Sequence, residues 1–174
     1  MSALERTPVN TGYLQPSKFL LSFSRIPNAQ YFCQAVNIPG GSINNATYTT
    51  PFKDIPIAGT KPTTNPLNIT FAVNGDLQSW MDLYQWMASI ASPTGFVQRD
   101  RLTQQQSTRT TLQQYSDATL VVLSNLNNPI GSFYFHNAFP VSISDIQFDT
   151  KENADDIVTA TASFMFEYYE YKPA

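Results

Sequence analysis

His136 and Cys33 have the widest chemical reach of any side chains here, and each is the only one of its kind in the 174 residues. His136 lies in the apolar stretch "FYFHNAF", with no serine or aspartate motif nearby to complete a nucleophilic triad, so it reads as a structural strand histidine. Cys33 has no second cysteine for an internal disulfide or a cysteine-based zinc site, and reads as a small buried apolar residue, not a reactive thiol. Glu152, Asp155 and Asp156 gather carboxylates in "DTKENADD". They lack the oxygen-ligand spacing and the glycine of a calcium loop, and a solvated turn accounts for them better. The "PGG" at 39–41 matches neither phosphate-binding fingerprint. These residues predict no catalytic centre, no metal site and no cofactor, hence a protein that is not an enzyme.

Composition points to a different role. Charged residues make up 13% of the chain, about half the share usual in soluble domains. Aromatic residues also make up 13%, and Thr, Ser, Asn and Gln are plentiful. A surface this poor in charge suits a protein covered by other subunits; a neutral polar surface of the kind extracellular β-domains carry is the alternative. The formal net charge of −3 and the scattering of the 10 basic residues argue against a sequence-independent grip on nucleic acid. The densest basic patch, "QRDRL", has Asp100 between Arg99 and Arg101. No apolar run is long enough to span a bilayer, so no membrane insertion is expected. The opening "MSALERTPVNTGYLQPSKF" lacks the charged head and apolar core of a signal peptide.

A single domain over 1–174 is expected, mainly β. Residues 1–16 read as a polar arm. "KFLLSFSRI" and "AQYFCQAVNI" read as strands joined in an antiparallel hairpin through "IPNAQ". From 41 to 66 the chain carries four prolines and few large apolar residues besides Ile43, Tyr48, Phe52, Ile55 and Ile57. It is too long for a hairpin turn and is expected to be an extended arm whose apolar residues pack on a neighbouring subunit. "LNITFAV" alternates as a half-buried strand. Residues 76–92 form the one clear helix, capped by Asp76 and ended by Pro93 and Gly95. Gln78, Asp82, Gln85, Ser89 and Ser92 make its polar stripe. The remaining positions include Leu77, Trp80, Met81, Tyr84, Trp86 and Met87, an apolar face too wide for one sheet, so a second packing surface is expected. After the Gln/Thr-rich connection come the strands "ATLVVLS" and "SFYFHNAF". In "FPVSISDIQF" the parity shifts at Ser144–Asp145, which predicts a bulge there.

The final strand, "IVTATASFMFEYYEY", alternates along its length. Val158, Ala160, Ala162, Phe164, Phe166 and Tyr168 fall on one side and require a core. Thr159, Thr161, Ser163, Met165, Glu167 and Tyr169 fall on the other. About seven strands and one helix make two packed antiparallel sheets, a barrel-like sandwich with a flanking helix.

The block "GSFYFHNAFPVSISDIQFDTKENADDIVTATASFMFEYYEY" resembles the tail tube proteins of contractile-tailed bacteriophages, a family related to the tubes of contractile bacteriocins and type VI secretion. "NPLNITFAVNGDLQSWMDLYQWMASI" looks like that family's strand and amphipathic helix, and "CQAVNIPGGSI" like its strand before a long loop. Together the blocks cover a little under half of the chain, in the family's order. The resemblance implies hexameric rings stacked into a hollow tube inside a contractile sheath, in a virion tail made in the host cytoplasm. Partners would be the sheath protein, baseplate tube-initiation proteins, the tail terminator, and the tape-measure protein and transiting DNA in the lumen. On that basis Thr159, Thr161, Ser163 and Glu167 are expected to face the lumen, where small neutral or acidic side chains would not hold phosphate. A repeating tube subunit is the leading expectation. A tube-initiating or terminating ring of the same tail, and a monomeric β-sandwich binding module, stand beside it.

Overall fold

The computed structural model describes residues 13–91, 95, 114–149, 151 and 156–174. Most of the expected N-terminal arm, the Gln/Thr-rich connection with Arg99 to Arg101, the helix stop at Pro93 and much of the acidic turn lie outside the described residues.

The described elements are β1 (Phe19–Phe23), α1 (Pro27–Tyr31), β2 (Cys33–Val36), β3 (Gly41–Thr49), β4 (Asp54–Thr64), β5 (Leu67–Ala72), α2 (Gln78–Ala91), β6 (Ser116–Leu123), β7 (Pro129–Ile143), β8 (Thr159–Met165) and β9 (Tyr168–Pro173). The fold is mainly β. One large antiparallel sheet runs β1-β6-β7-β8-β5-β2, with β9 also on β7, and its ends do not meet to close a barrel. β7 organises it. Its first half pairs with β6 on one side and β9 on the other, and its second half pairs with β8. The sheet therefore has two lobes, β1-β6-β7-β9 and β7-β8-β5-β2, sharing a core.

The expected hairpin between the first two strands does not form. Pro27 starts a short helix instead, as its fixed φ favours. β1 pairs with β6, and β2 crosses to β5. Buried Ile26 and Ala29 hold the helical turn against the core, which outweighs the turn-like reading of "IPNAQ".

The alternation in β5 and β8 is realised. Leu67, Ile69 and Phe71 meet Ala160, Ala162 and Phe164 across the strand pair, all at most 2% exposed. α2 lies on this core through Ser79, Leu83 and Trp86. Asp76 Oδ1 accepts the Gln78 N–H at 3.2 Å, and Asn74 Oδ1 accepts the Ser79 N–H at 2.9 Å, so two side chains satisfy free amides at its start. Trp86 Nε1–H donates to the Gln114 carbonyl at 3.0 Å.

Two strands change face together where the lobes join. Phe135 and Ala138 are both buried, although strict alternation would separate them, because Asn137 takes a left-handed backbone (φ 54). Opposite, Phe166 is buried and Tyr169 packs on the core, while Tyr168 is 47% exposed. Thus Tyr168, expected on the core side, faces outward, and Tyr169 faces inward. The paired kink is tied by Asn137 Nδ2–H to Glu167 Oε2 at 2.6 Å and by the Glu167 N–H to the His136 carbonyl at 3.0 Å. Asparagine tolerates this backbone better than most residues. Val158 is also largely outside the core. In β7 the bulge falls between Pro140 and Ser142, earlier than Ser144–Asp145.

Candidate functional site

The hydroxyl positions of β8 form part of a continuous surface. Thr159, Thr161 and Ser163 stand opposite Ala72, Thr70 and Asn68 of β5. Opposed residues share a face, so this side of the strand pair carries only small uncharged side chains. Ser163 Oγ–H donates to Asn68 Oδ1 at 2.6 Å, and the Asn68 N–H donates to Asn37 Oδ1 at 2.6 Å. Ser144 closes the other flank: its Oγ accepts the Thr161 N–H at 2.9 Å. Asn68 and Thr70 were missed as site residues, although the off-core positions of "LNITFAV" carried the signal. Glu167 continues the outward parity beyond the exposed Met165, but its carboxylate is engaged by Asn137.

The 41–66 segment is a two-stranded antiparallel arm in which, among the described residues, β3 and β4 pair only with each other. All of β3 is exposed. Ala46 and Tyr48 stand opposite Ile57 and Ile55, making one apolar face, while Thr47 and Thr49 stand opposite Pro56 and Asp54 on the other. Ile43, opposite Pro62, falls in step with Thr47 and Thr49. The five apolar residues therefore do not share a face: Tyr48, Ile55 and Ile57 gather, Ile43 lies on the opposite face, and Phe52 sits at the tip, 99% exposed. A bulge separates base from tip where Asn44 faces the stretch 59–61, and a Cβ on Gly59 would come within 2.0 Å of the Asn44 carbonyl oxygen. Only glycine allows that approach.

α2 has a second apolar side. Trp86 is core and Met87 half-buried, while Trp80 is half-buried and donates its Nε1–H to the Ser144 carbonyl at 3.1 Å. Leu77, Met81 and Tyr84, expected among the packing residues, are instead 39%, 38% and 46% exposed in the protomer. Met81 and Tyr84 lie on the side of α2 away from Leu83 and Trp86, and Leu77 precedes the helix with a left-handed backbone (φ 57).

Chemical groups are few. Cys33 is half-buried, and desolvation pushes its thiol up to about 11. His136 stacks on Tyr168 at 4.6 Å. Among the described residues no group of His, Cys, Asp and Glu could hold a metal ion, and no helix is long and apolar enough to cross a membrane.

Comparison with known proteins places these surfaces in context. Residues 13–172 match the family model described as phage tail tube protein. The chain is 28% identical over 107 residues to the tail tube terminator protein of Enterobacteria phage T4, covering 61% of this chain and 55% of that protein, so it spans about half the length of that relative. Its fold is shared with the tube-terminating cap of the anti-feeding prophage (TM-score 0.62, 13% identity, 100% of both chains). It is shared too with a chain of the sheath/tube terminator of the PVC extracellular contractile injection system (TM-score 0.60, 17% identity, 94% of this chain and 99% of that one). A chain of the PVC sheath-tube complex aligns at TM-score 0.56 and 16% identity, over 100% of this chain and 99% of that one. The chain belongs to the phage tail tube protein family.

Proposed function

We propose that this chain is the terminating ring protein of a contractile tail's tube, a structural subunit whose hexameric ring caps the tube and leaves its channel open. Its sequence similarity to the T4 tail tube terminator carries this reading. The repeating tube subunit, the leading expectation from sequence, gives way to the terminating ring that stood beside it. No catalytic step is needed for this role.

The surfaces support an assembled state. An isolated two-stranded hairpin is marginal in water, so the β3–β4 arm needs a neighbour to cover Tyr48, Ile55 and Ile57. The uncharged β5–β8 face suits a channel wall. Lysine or arginine there would bind DNA by releasing counterions, whereas hydroxyls and amides let it pass. Open strand edges, a hazard in a monomer, are natural joints between copies. Sheath and tube proteins are the partners that follow.

Mass photometry and negative-stain microscopy of the purified chain test the reading. A terminating ring gives discrete rings that do not elongate alone and that cap preformed tubes. Long tubes from this chain by itself would identify the repeating subunit, and a stable monomer at high concentration would favour a binding module. Deleting residues 44–60 should leave a folded protein that no longer assembles.

A further inference from the structure

Resting on the ring reading above, we infer that the tip of the β3–β4 arm seats on the outward face of α2 in a neighbouring copy, with Phe52 as its anchor.

The tip is built before any partner arrives. Thr50 Oγ–H donates to the Lys53 carbonyl at 2.6 Å, and the same oxygen accepts the Lys53 N–H at 3.1 Å. Pro51 restricts the backbone between them. Phe52 stands on this closed turn at 99% exposure. An aromatic ring held out by a rigid turn loses little freedom on docking, which is what an interface anchor requires.

The receiving face is also held in place. Met81, Tyr84 and Ala88 follow at steps of three and four, opposite the buried run of Ser79, Leu83 and Trp86. Tyr84 stacks on Trp80 at 5.3 Å with planes 9° apart, and the Trp80 N–H is tied to Ser144. Met81 supplies an adaptable surface for a ring. Charge adds little to the fit: Asp82 is turned to α1, where it accepts from Asn28 Nδ2–H at 2.7 Å, which leaves Asp76 at the helix start as the carboxylate that Lys53, beside the anchor, can approach.

The occupant is a second copy because every chain carries both surfaces exposed: among the described residues the arm pairs only with itself, and α2 packs on α1 and β7. Joining unlike surfaces of identical chains makes a head-to-tail contact, which closes rings or links successive rings.

Disulfide trapping in a Cys33→Ser background tests the contact. Chains carrying Phe52→Cys and Tyr84→Cys are mixed, assembled and oxidised, then separated without reductant. A mixed dimer is expected from that pair, none from Phe52→Cys alone, and little when Gln85→Cys replaces Tyr84→Cys. Phe52→Ser should raise the concentration needed for assembly at least about tenfold, as loss of an anchor does, with an unchanged monomer melting curve. Rings that form without the mixed cross-link, or that cross-link equally at Gln85→Cys, would overturn the contact while leaving the ring reading intact. Absence of rings from the parent chain would overturn the ring reading and this contact with it.

Discussion

Replacing Phe164 and Thr161 in turn tests the two faces of β8 against each other. Phe164 is fully buried (0% exposed), with its ring 5.0 Å from Phe23 and 6.0 Å from Trp86. Truncating such a residue to alanine costs about 3–5 kcal/mol, including the cavity left behind. Here the surrounding groups stand on β1, α2 and β5, and a shift by one does not bring the others in, so about 4–5 kcal/mol is expected. At about 2–4 °C per kcal/mol for a chain of this size, Phe164→Ala should melt about 8–20 °C lower. Thr161 is exposed, and its bonds to Ser144 use its own backbone N–H and carbonyl, which survive substitution. Thr161→Lys should therefore change stability by no more than about 0.5 kcal/mol. Circular dichroism melts at one fixed protein concentration make the comparison, since assembly itself stabilises. In assembled rings the lysine variant should retain DNA at low salt and release it as salt rises. If Thr161→Lys melted lower than Phe164→Ala, the faces would be reversed and the channel assignment would fall.

Trp86→Ala should cost about 3–5 kcal/mol in chemical denaturation and Gln85→Ala almost nothing; equal small effects would mean that the helix orientation is wrong. At Gly131 an added Cβ would lie 2.5 Å from the Tyr171 ring, which is 52% exposed and free to swing away, so Gly131→Ala should cost no more than about 1 kcal/mol while tyrosine fluorescence reports displacement of that ring. Gly59→Ala should leave the melting temperature nearly unchanged while weakening assembly in sedimentation, because its clash lies in the arm and not in the core. With its thiol at about 11, Cys33 holds its proton more tightly folded than unfolded, so its contribution to stability falls as pH rises from about 9 towards 11. At pH 8 it should react with a disulfide reagent far more slowly in the folded protein than in denaturant, and equal rates would refute its burial.

Much of the molecule was legible locally. The period-two pattern of Leu67, Ile69 and Phe71, and of Ala160, Ala162 and Phe164, assigned core faces correctly because alternation is a property of single strands. The three-and-four spacing and acidic start of residues 76–92 marked the helix, and its over-wide apolar circumference implied a second packing surface. The prolines and thin apolar content of 41–66 marked an arm outside the core. What alternation could not carry was which residues of the two strands share a face, which depends on the pairing that sets Tyr48 opposite Ile55 and Ala46 opposite Ile57.

Partner choice belonged to the tertiary structure. Whether β1 pairs with its neighbour in sequence or with β6, and whether β2 reaches β5, depends on contacts far apart along the chain, and no local period encodes them. The face change at Asn137 and Glu167 is of the same kind. A left-handed asparagine and its bond across to a glutamate matter only once β7 and β9 lie side by side, and there they turn Tyr169 inward and Tyr168 outward. By itself the sequence determined which residues need burial and which segments repeat with a strand's or a helix's period. The fold alone decided which buried faces meet, and so which apolar surfaces, the arm and the outer side of α2, stay exposed among the described residues.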